Sequence, residues 1–245
     1  MKKKLKRFYK KLVSILFEFI YGKIDKVESG EKYKQMVRIK GFKKNYYIYN
    51  LKKGRLFTDT VHDTAFINFN RIVSGPSFQI RNLINSSAKN NTVFSNNTPK
   101  IKKKINGLTL SILTGGAGNN NYWHWMYDVL PRIAIVKIKY NIGKIDNFIV
   151  PDIKYDFQIQ TLKLLNIYDK SLPSIKFRHL ETDRLIGTTH PWQFTKSAHQ
   201  DINNIPKWIT LWIRDTFLKK KKFYDHKYEK IYINRSDSSS NLFNK

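Results

Sequence analysis

Cysteine is absent from the 245 residues, which excludes disulfides, thiolate nucleophiles and cysteine-based zinc or iron–sulfur sites together. Acidic residues are scarce: 18 Asp and Glu stand against 46 Lys and Arg, for a formal charge of +28. No apolar run reaches the roughly 18–20 residues that a membrane-spanning helix needs. The chain also has no G-x-S-x-G, no G-x-x-x-x-G-K-[ST] and no H-E-x-x-H, so the common hydrolase, phosphate-loop and zinc-protease chemistries have no foothold. His62, His179, His190, His199 and His226 show no ligand spacing. No metal and no cofactor is expected.

What the chain does have is core material. Hydrophobic residues make up 41% and aromatics 14%, too much for a disordered polycation. The surplus charge has two readings: a solvated Lys-rich surface, or a partner carrying negative charge such as nucleic acid, anionic lipid or a phosphorylated substrate. No helix-turn-helix, zinc-finger, RRM or KH pattern appears, so no specific nucleic-acid partner is expected. Residues 1–21 begin MKKKLKRFYKK and continue LVSILFEFIY. Glu18 interrupts the apolar part and no small-residue cleavage site follows, which argues against a signal peptide. Two readings remain, an in-plane basic amphipathic helix on an anionic membrane and a terminal helix docked on the domain.

The polar stretch KIDKVESGEKYK (23–34) reads as a linker or irregular lead-in. From Met36 to Ile80 the pattern favours strands: MVRIKGF and NYYIYNL, a turn at KKGR, then TAFINFNRIV. Residues 85–105 read as an exposed loop. From 106 onward strands and helices alternate, with strands predicted at 108–113, 148–150, 174–180, 183–190 and 228–235. Helices are predicted over 157–167, with Ile159, Leu162 and Leu165 inward, and over 208–218, with Ile209, Trp212 and Ile213 inward. A third helix carries Met126, Val129, Leu130 and Ile133 on one face, and Pro131 predicts a kink or a restart there. This alternation predicts an α/β fold with a parallel sheet behind a β-rich lead-in.

The most unusual segment is GGAGNNNYWHWMYDVLPRI, residues 115–133. Gly and Asn between a strand and a helix allow close backbone approach to a ligand, or simply a flexible turn with an Asn cap. Candidate substrate-binding residues are Gly116, Asn120, Asn121, Tyr122, Trp123 and Trp125, because packed aromatics present flat faces to sugars or bases. His124 and Asp128 lie four apart and share a helix face, so the carboxylate can orient the imidazole. A His satisfied within the core, and an Arg132–Asp128 ion pair, are the structural alternatives. Arg235 ends a predicted strand, where α/β sheets bind ligands; a donor phosphate and a structural salt bridge are both open to it.

The run NNNYWHWMYDVLPRI resembles the signature of glycosyltransferase family 61, many of whose members are capsular polysaccharide biosynthesis proteins. GRLFTDTVHDTAFINFNRIVSGPS (54–77), FIVP (148–151), HPW (190–192), IPKW (205–208) and IYINRSDSS (231–239) fall in the order of that family. The central motif is fairly specific and the others are loose. The resemblance implies a GT-B glycosyltransferase with two Rossmann-like domains, inverting and nucleotide-sugar dependent. It would build surface polysaccharide or another glycan on a glycan or lipid-linked acceptor. His124, supported by Asp128, would then be the catalytic pair.

The chain departs from the family after Arg235. Asn241 stands where a second arginine is usual, Asn244-Lys245 replaces Asn-Glu, and the donor-binding half does not follow. The expected organisation is therefore a basic helix and linker (1–35), a Rossmann-like acceptor-side domain (36–225) and the start of a truncated second domain (226–245). Negligible transfer by the isolated chain is expected, in a cytoplasmic protein lying peripherally at the inner membrane face. A non-catalytic membrane-surface scaffold for polysaccharide assembly is the first alternative, and a basic nucleic-acid-binding module the second.

Overall fold

The computed structural model describes residues 2–59, 63–77, 91, 93, 101–114, 121–192 and 205–218. Helix α1 (Lys2–Tyr21) is followed by strands β1 (Lys26–Glu28), β2 (Lys34–Arg38), β3 (Asn45–Lys52), β4 (Arg55–Thr58), β5 (Thr64–Asn68), β6 (Arg71–Val73) and β7 (Lys103–Ser111). Next come a helical turn α2 (Tyr122–His124), a π-helical turn (Trp125–Val129) and helix α3 (Pro131–Lys137). Strand β8 (Asn147–Val150), helix α4 (Asp156–Leu164) and strands β9 (Ser171–Pro173) and β10 (His179–Thr188) follow. Helix α5 (Lys207–Ile213) runs into a second π-helical turn (Arg214–Leu218).

The ten strands of the described residues join one mixed sheet, in a mixed α/β protein. Its path runs β1-β6-β5-β4-β10-β7-β8-β9, with β2 paired to β3 and β3 to β10. The pairs β10–β7, β7–β8, β8–β9 and β1–β6 are parallel; the others are antiparallel. The expectation of a parallel sheet therefore holds for the β7–β10 part, and the lead-in is antiparallel except for its β1–β6 pair. Residues 174–178 join β9 to β10 without a helix.

Three local expectations change. KKGR is not a reversal: β3 and β4 run in the same direction along β10, pairing Lys52 with Arg184 and Arg55 with Glu181. The interruption is a bulge. Lys53 takes a φ of 46°, and its N–H donates to Asp183 O (2.8 Å) while the β10 register slips between Thr182 and Arg184. The two strands expected at 174–180 and 183–190 are one strand, His179–Thr188, preceded by a turn at 174–176. The lead-in is not wholly irregular either, since Lys26–Glu28 pairs in parallel with β6.

Side chains alternate across the sheet with the period of two that strands impose. Ile48, Leu110, Phe148 and Ile186 face the helices, in a core with Trp125, Leu130, Ile133 and Val136. Tyr49, Ile149 and Leu185 face the other way, with Leu51, Leu56 and Phe66. A third cluster of Phe57, Ala65, Ile67 and Ile72 receives Phe17 of α1. Met126, Val129, Leu130 and Ile133 are all buried, as their spacing predicts. In α4 the buried face is Gln158, Thr161 and Leu162, with Ile159 and Leu165 half-buried. In α5 and its π-turn Trp208, Ile209 and Phe217 are buried, while Trp212 and Ile213 are half-buried. The strand expected at 228–235 lies outside the described residues.

Candidate functional site

The segment after β7 builds the site. Asn121 caps it: its side-chain Oδ1 accepts the backbone N–H groups of Trp123 (2.9 Å) and His124 (3.4 Å), satisfying donors that a helix start leaves orphaned. The helix then widens. Leu130 N–H reaches back five residues to Trp125 O (3.1 Å), because Pro131 opens α3 at its first position and has no N–H to continue an ordinary ladder. The kink or restart expected at Pro131 is thus a π-turn followed by a restart.

Within that turn Asp128 is fully buried and His124 is 29% exposed at its side chain. His124 Nδ1 lies 2.7 Å from Asp128 Oδ2, and the other carboxylate oxygen, Oδ1, accepts the indole N–H of Trp192 at 2.5 Å. A carboxylate only accepts, so Nδ1 carries a proton, and in the neutral form of the imidazole Nε2 is the nitrogen with the lone pair. Nε2 has no hydrogen-bond partner among the described residues.

Arg132 does not pair with the Asp128 carboxylate. Its Nε donates to Asp128 O (3.0 Å), and its Nη1 donates to Thr188 O (3.2 Å) and Thr188 Oγ1 (3.3 Å). The guanidinium so ties the π-turn to the C-terminal end of β10. Burial pushes it down to about 10, with the Asp128 charge acting the other way, so it stays charged at neutral pH. His190 Nδ1 donates to Trp192 O (3.0 Å). Burial pushes this imidazole down to about 4; Asp128 opposes that shift, and the Arg132 and Lys44 charges add to it.

The aromatics divide. Trp123 stacks on Tyr127 (centroids 5.2 Å apart, 20° between planes) and meets Trp192 edge-on at 5.6 Å. Tyr122 is exposed and sets its ring edge-on against Phe157. Trp125, expected to line the site, is instead completely buried, and its Nε1 donates to Thr161 Oγ1 (2.9 Å). It fixes the site segment to α4 and cannot touch a ligand in this arrangement. Gly116, Asn120 and Arg235 lie outside the described residues.

The structure thus brings together Asn121, Trp123, His124 and Asp128, and adds Trp192, His190 and Arg132. For Trp192 the sequence offered only the HPW motif just past a strand. These groups sit where the chain leaves two adjacent parallel strands, β7 and β10, while the connection from β7 leads to β8 on its other side. Among the described residues no group of His, Asp and Glu could hold a metal ion.

No protein-family model, curated protein or solved structure matches the chain. A functional reading therefore rests on its own residues and geometry.

Proposed function

We propose that the chain is the acceptor-side, Rossmann-like part of an inverting glycosyltransferase that acts in the synthesis of surface polysaccharide or another glycan. The observation that carries this reading is the chain of contacts Trp192–Asp128–His124. It is a buried carboxylate held by an indole on one oxygen and orienting an imidazole with the other, and it ends at a part-exposed Nε2. Such an imidazole is suited to take a proton. In the reaction the acceptor hydroxyl oxygen attacks the anomeric carbon, and its proton passes to His124 Nε2. The bond to the nucleoside diphosphate breaks with its electron pair, and the configuration at carbon inverts.

The strand order β9-β8-β7-β10 supports the reading, since it is the order of the first four strands in a doubly wound sheet. The stacked Trp123–Tyr127 pair beside His124 supports an apolar ring face as ligand. The motif order from residue 54 to 239 supports the likeness to glycosyltransferase family 61. In these terms the partners are a nucleotide-sugar donor and a glycan or lipid-linked acceptor.

The test is genetic complementation in the native host, where every partner is present. Removing the gene should delete or shorten a surface glycan, and the wild-type gene should restore it. His124→Ala and Asp128→Asn, at equal protein level, should not. An unchanged glycan after deletion overturns the glycan reading. Full restoration by His124→Ala overturns the base and favours a non-catalytic scaffold.

A further inference from the structure

Helix α1 has 20 residues, about 30 Å at the rise of an α-helix. One side of it is used by the fold. Phe17 packs on Phe57 (5.8 Å) and His179 (5.5 Å), and Tyr21 meets His179 edge-on at 5.0 Å. The Tyr21 hydroxyl accepts the N–H of Lys102 (3.0 Å), and its backbone carbonyl accepts from Arg55 Nη1 (3.3 Å). These contacts hold the C-terminal part.

The other side is apolar and open. Leu5, Phe8, Leu12, Ile15, Leu16 and Phe19 are between 51% and 88% exposed. At 3.6 residues per turn they form one arc of roughly 100° along the helix. Large contiguous apolar faces on a protein surface mark contact sites. The surrounding charge identifies the occupant. Seven of the first eleven residues are Lys or Arg, Glu18 is the sole acid of α1, and the chain carries +28. A second copy of this chain would bring like charges together, whereas an acidic bilayer surface neutralises them. No helix among the described residues is long and apolar enough to cross a membrane.

We propose that α1 lies in the plane of an anionic phospholipid bilayer, its Leu5-to-Phe19 arc in the acyl boundary and its lysines among the headgroups, while Phe17 and Tyr21 hold the domain to it. This stands independently of the glycosyl-transfer reading.

Flotation of the full chain with phosphatidylcholine vesicles, with and without about 30 mol % phosphatidylglycerol, tests it. Binding should be at least about 10-fold tighter to the anionic vesicles and weaken as salt rises. The double variant Leu16→Glu, Phe19→Glu should lose about 100-fold through the apolar contribution. Lys4→Glu, Lys11→Glu should lose at least about 10-fold on anionic vesicles alone. All four positions are exposed, so circular dichroism and melting should match wild type. Equal binding to both vesicle types, or wild-type binding by Leu16→Glu, Phe19→Glu, overturns the proposal. So does a dimer without vesicle binding that the same variant splits, which would assign the face to a second copy. His124→Ala should bind vesicles like wild type, so the two readings fail separately.

Discussion

Trp192 donates its indole N–H to Asp128 across 64 positions of sequence, at 2.5 Å. The contact joins the loop after β10 to the π-turn after β7, and it fixes the carboxylate that in turn fixes His124. A residue with no chemistry of its own thereby sets the geometry of the dyad.

Replacing Trp192 by Phe keeps an aromatic ring against Trp123 but leaves a buried carboxylate oxygen without its donor. A loss of about 1–3 kcal/mol in unfolding free energy is expected, read from urea denaturation. An unchanged midpoint would mean that the indole contributes packing alone.

Asp128→Asn should leave the fold intact and reverse the His124 tautomer. The amide group can turn its NH2 toward Nδ1, which must then accept, so the proton moves to Nε2 and the lone pair there is lost. Nitrogen-15 spectra of the imidazole should report Nδ1–H in the wild type and Nε2–H in the variant. Identical tautomers in both would remove Asp128 from the orienting role.

Stability should depend on His190 at mildly acid pH. Its folded value of about 4 lies below the ordinary value near 6.5, so the unfolded chain binds the extra proton first. The stabilisation is complete above about pH 6.5 and is lost progressively as pH falls toward 4. Urea midpoints from pH 4 to 8 should fall on the acid side in wild type. In His190→Gln, whose amide can still donate to Trp192 O, the slope should flatten; parallel profiles would assign the acid loss to other groups.

Arg132→Lys should destabilise almost as much as Arg132→Met. A lysine cannot span Asp128 O, Thr188 O and Thr188 Oγ1 from one rigid fork, and buried carbonyl groups lose their donor. A loss of about 2–4 kcal/mol is expected for both, measured by thermal unfolding. Full retention of stability in the lysine variant would contradict the fork.

Gly54→Ala probes the bulge between β3 and β4. The added methyl carbon would lie 2.6 Å from Leu185 Cβ and 2.9 Å from Leu51 Cβ, atoms close to the backbone that cannot swing aside. Overpacking of about 1–3 kcal/mol is expected, and an unchanged melting temperature would show that the two strands part there easily.

The parts of this architecture that sequence reveals are those fixed by local periodicity. Strands β7 and β8 and the buried face of Met126, Val129, Leu130 and Ile133 belong to that class, as does the four-residue spacing of His124 and Asp128. KKGR misled because its composition suits a hairpin turn and a bulge equally; its partner β10, some 130 residues downstream, decides between them. Trp125 misled for another reason. The π-turn inserts an extra residue into the helical phase, so a regular wheel does not tell which tryptophan of Trp123 and Trp125 faces inward. Trp192 was out of reach because no local pattern marks a contact between two loops.

Strand β10 links the two regions proposed to meet other molecules. His179 at its start lies under Phe17 and Tyr21 of α1, and Thr188 at its end holds Arg132 beneath the dyad. They are the two ends of a ten-residue strand, about 30 Å of extended chain, braced by β4 and β3 along one edge and β7 along the other. A strand braced in this way behaves as a stiff beam. Were α1 held by a bilayer as proposed, that constraint would reach the dyad through this paired strand. Docking would then act as address and orientation, raising the local supply of lipid-borne acceptor at a fixed height, and the pH profile of the chemistry should be the same on and off the membrane.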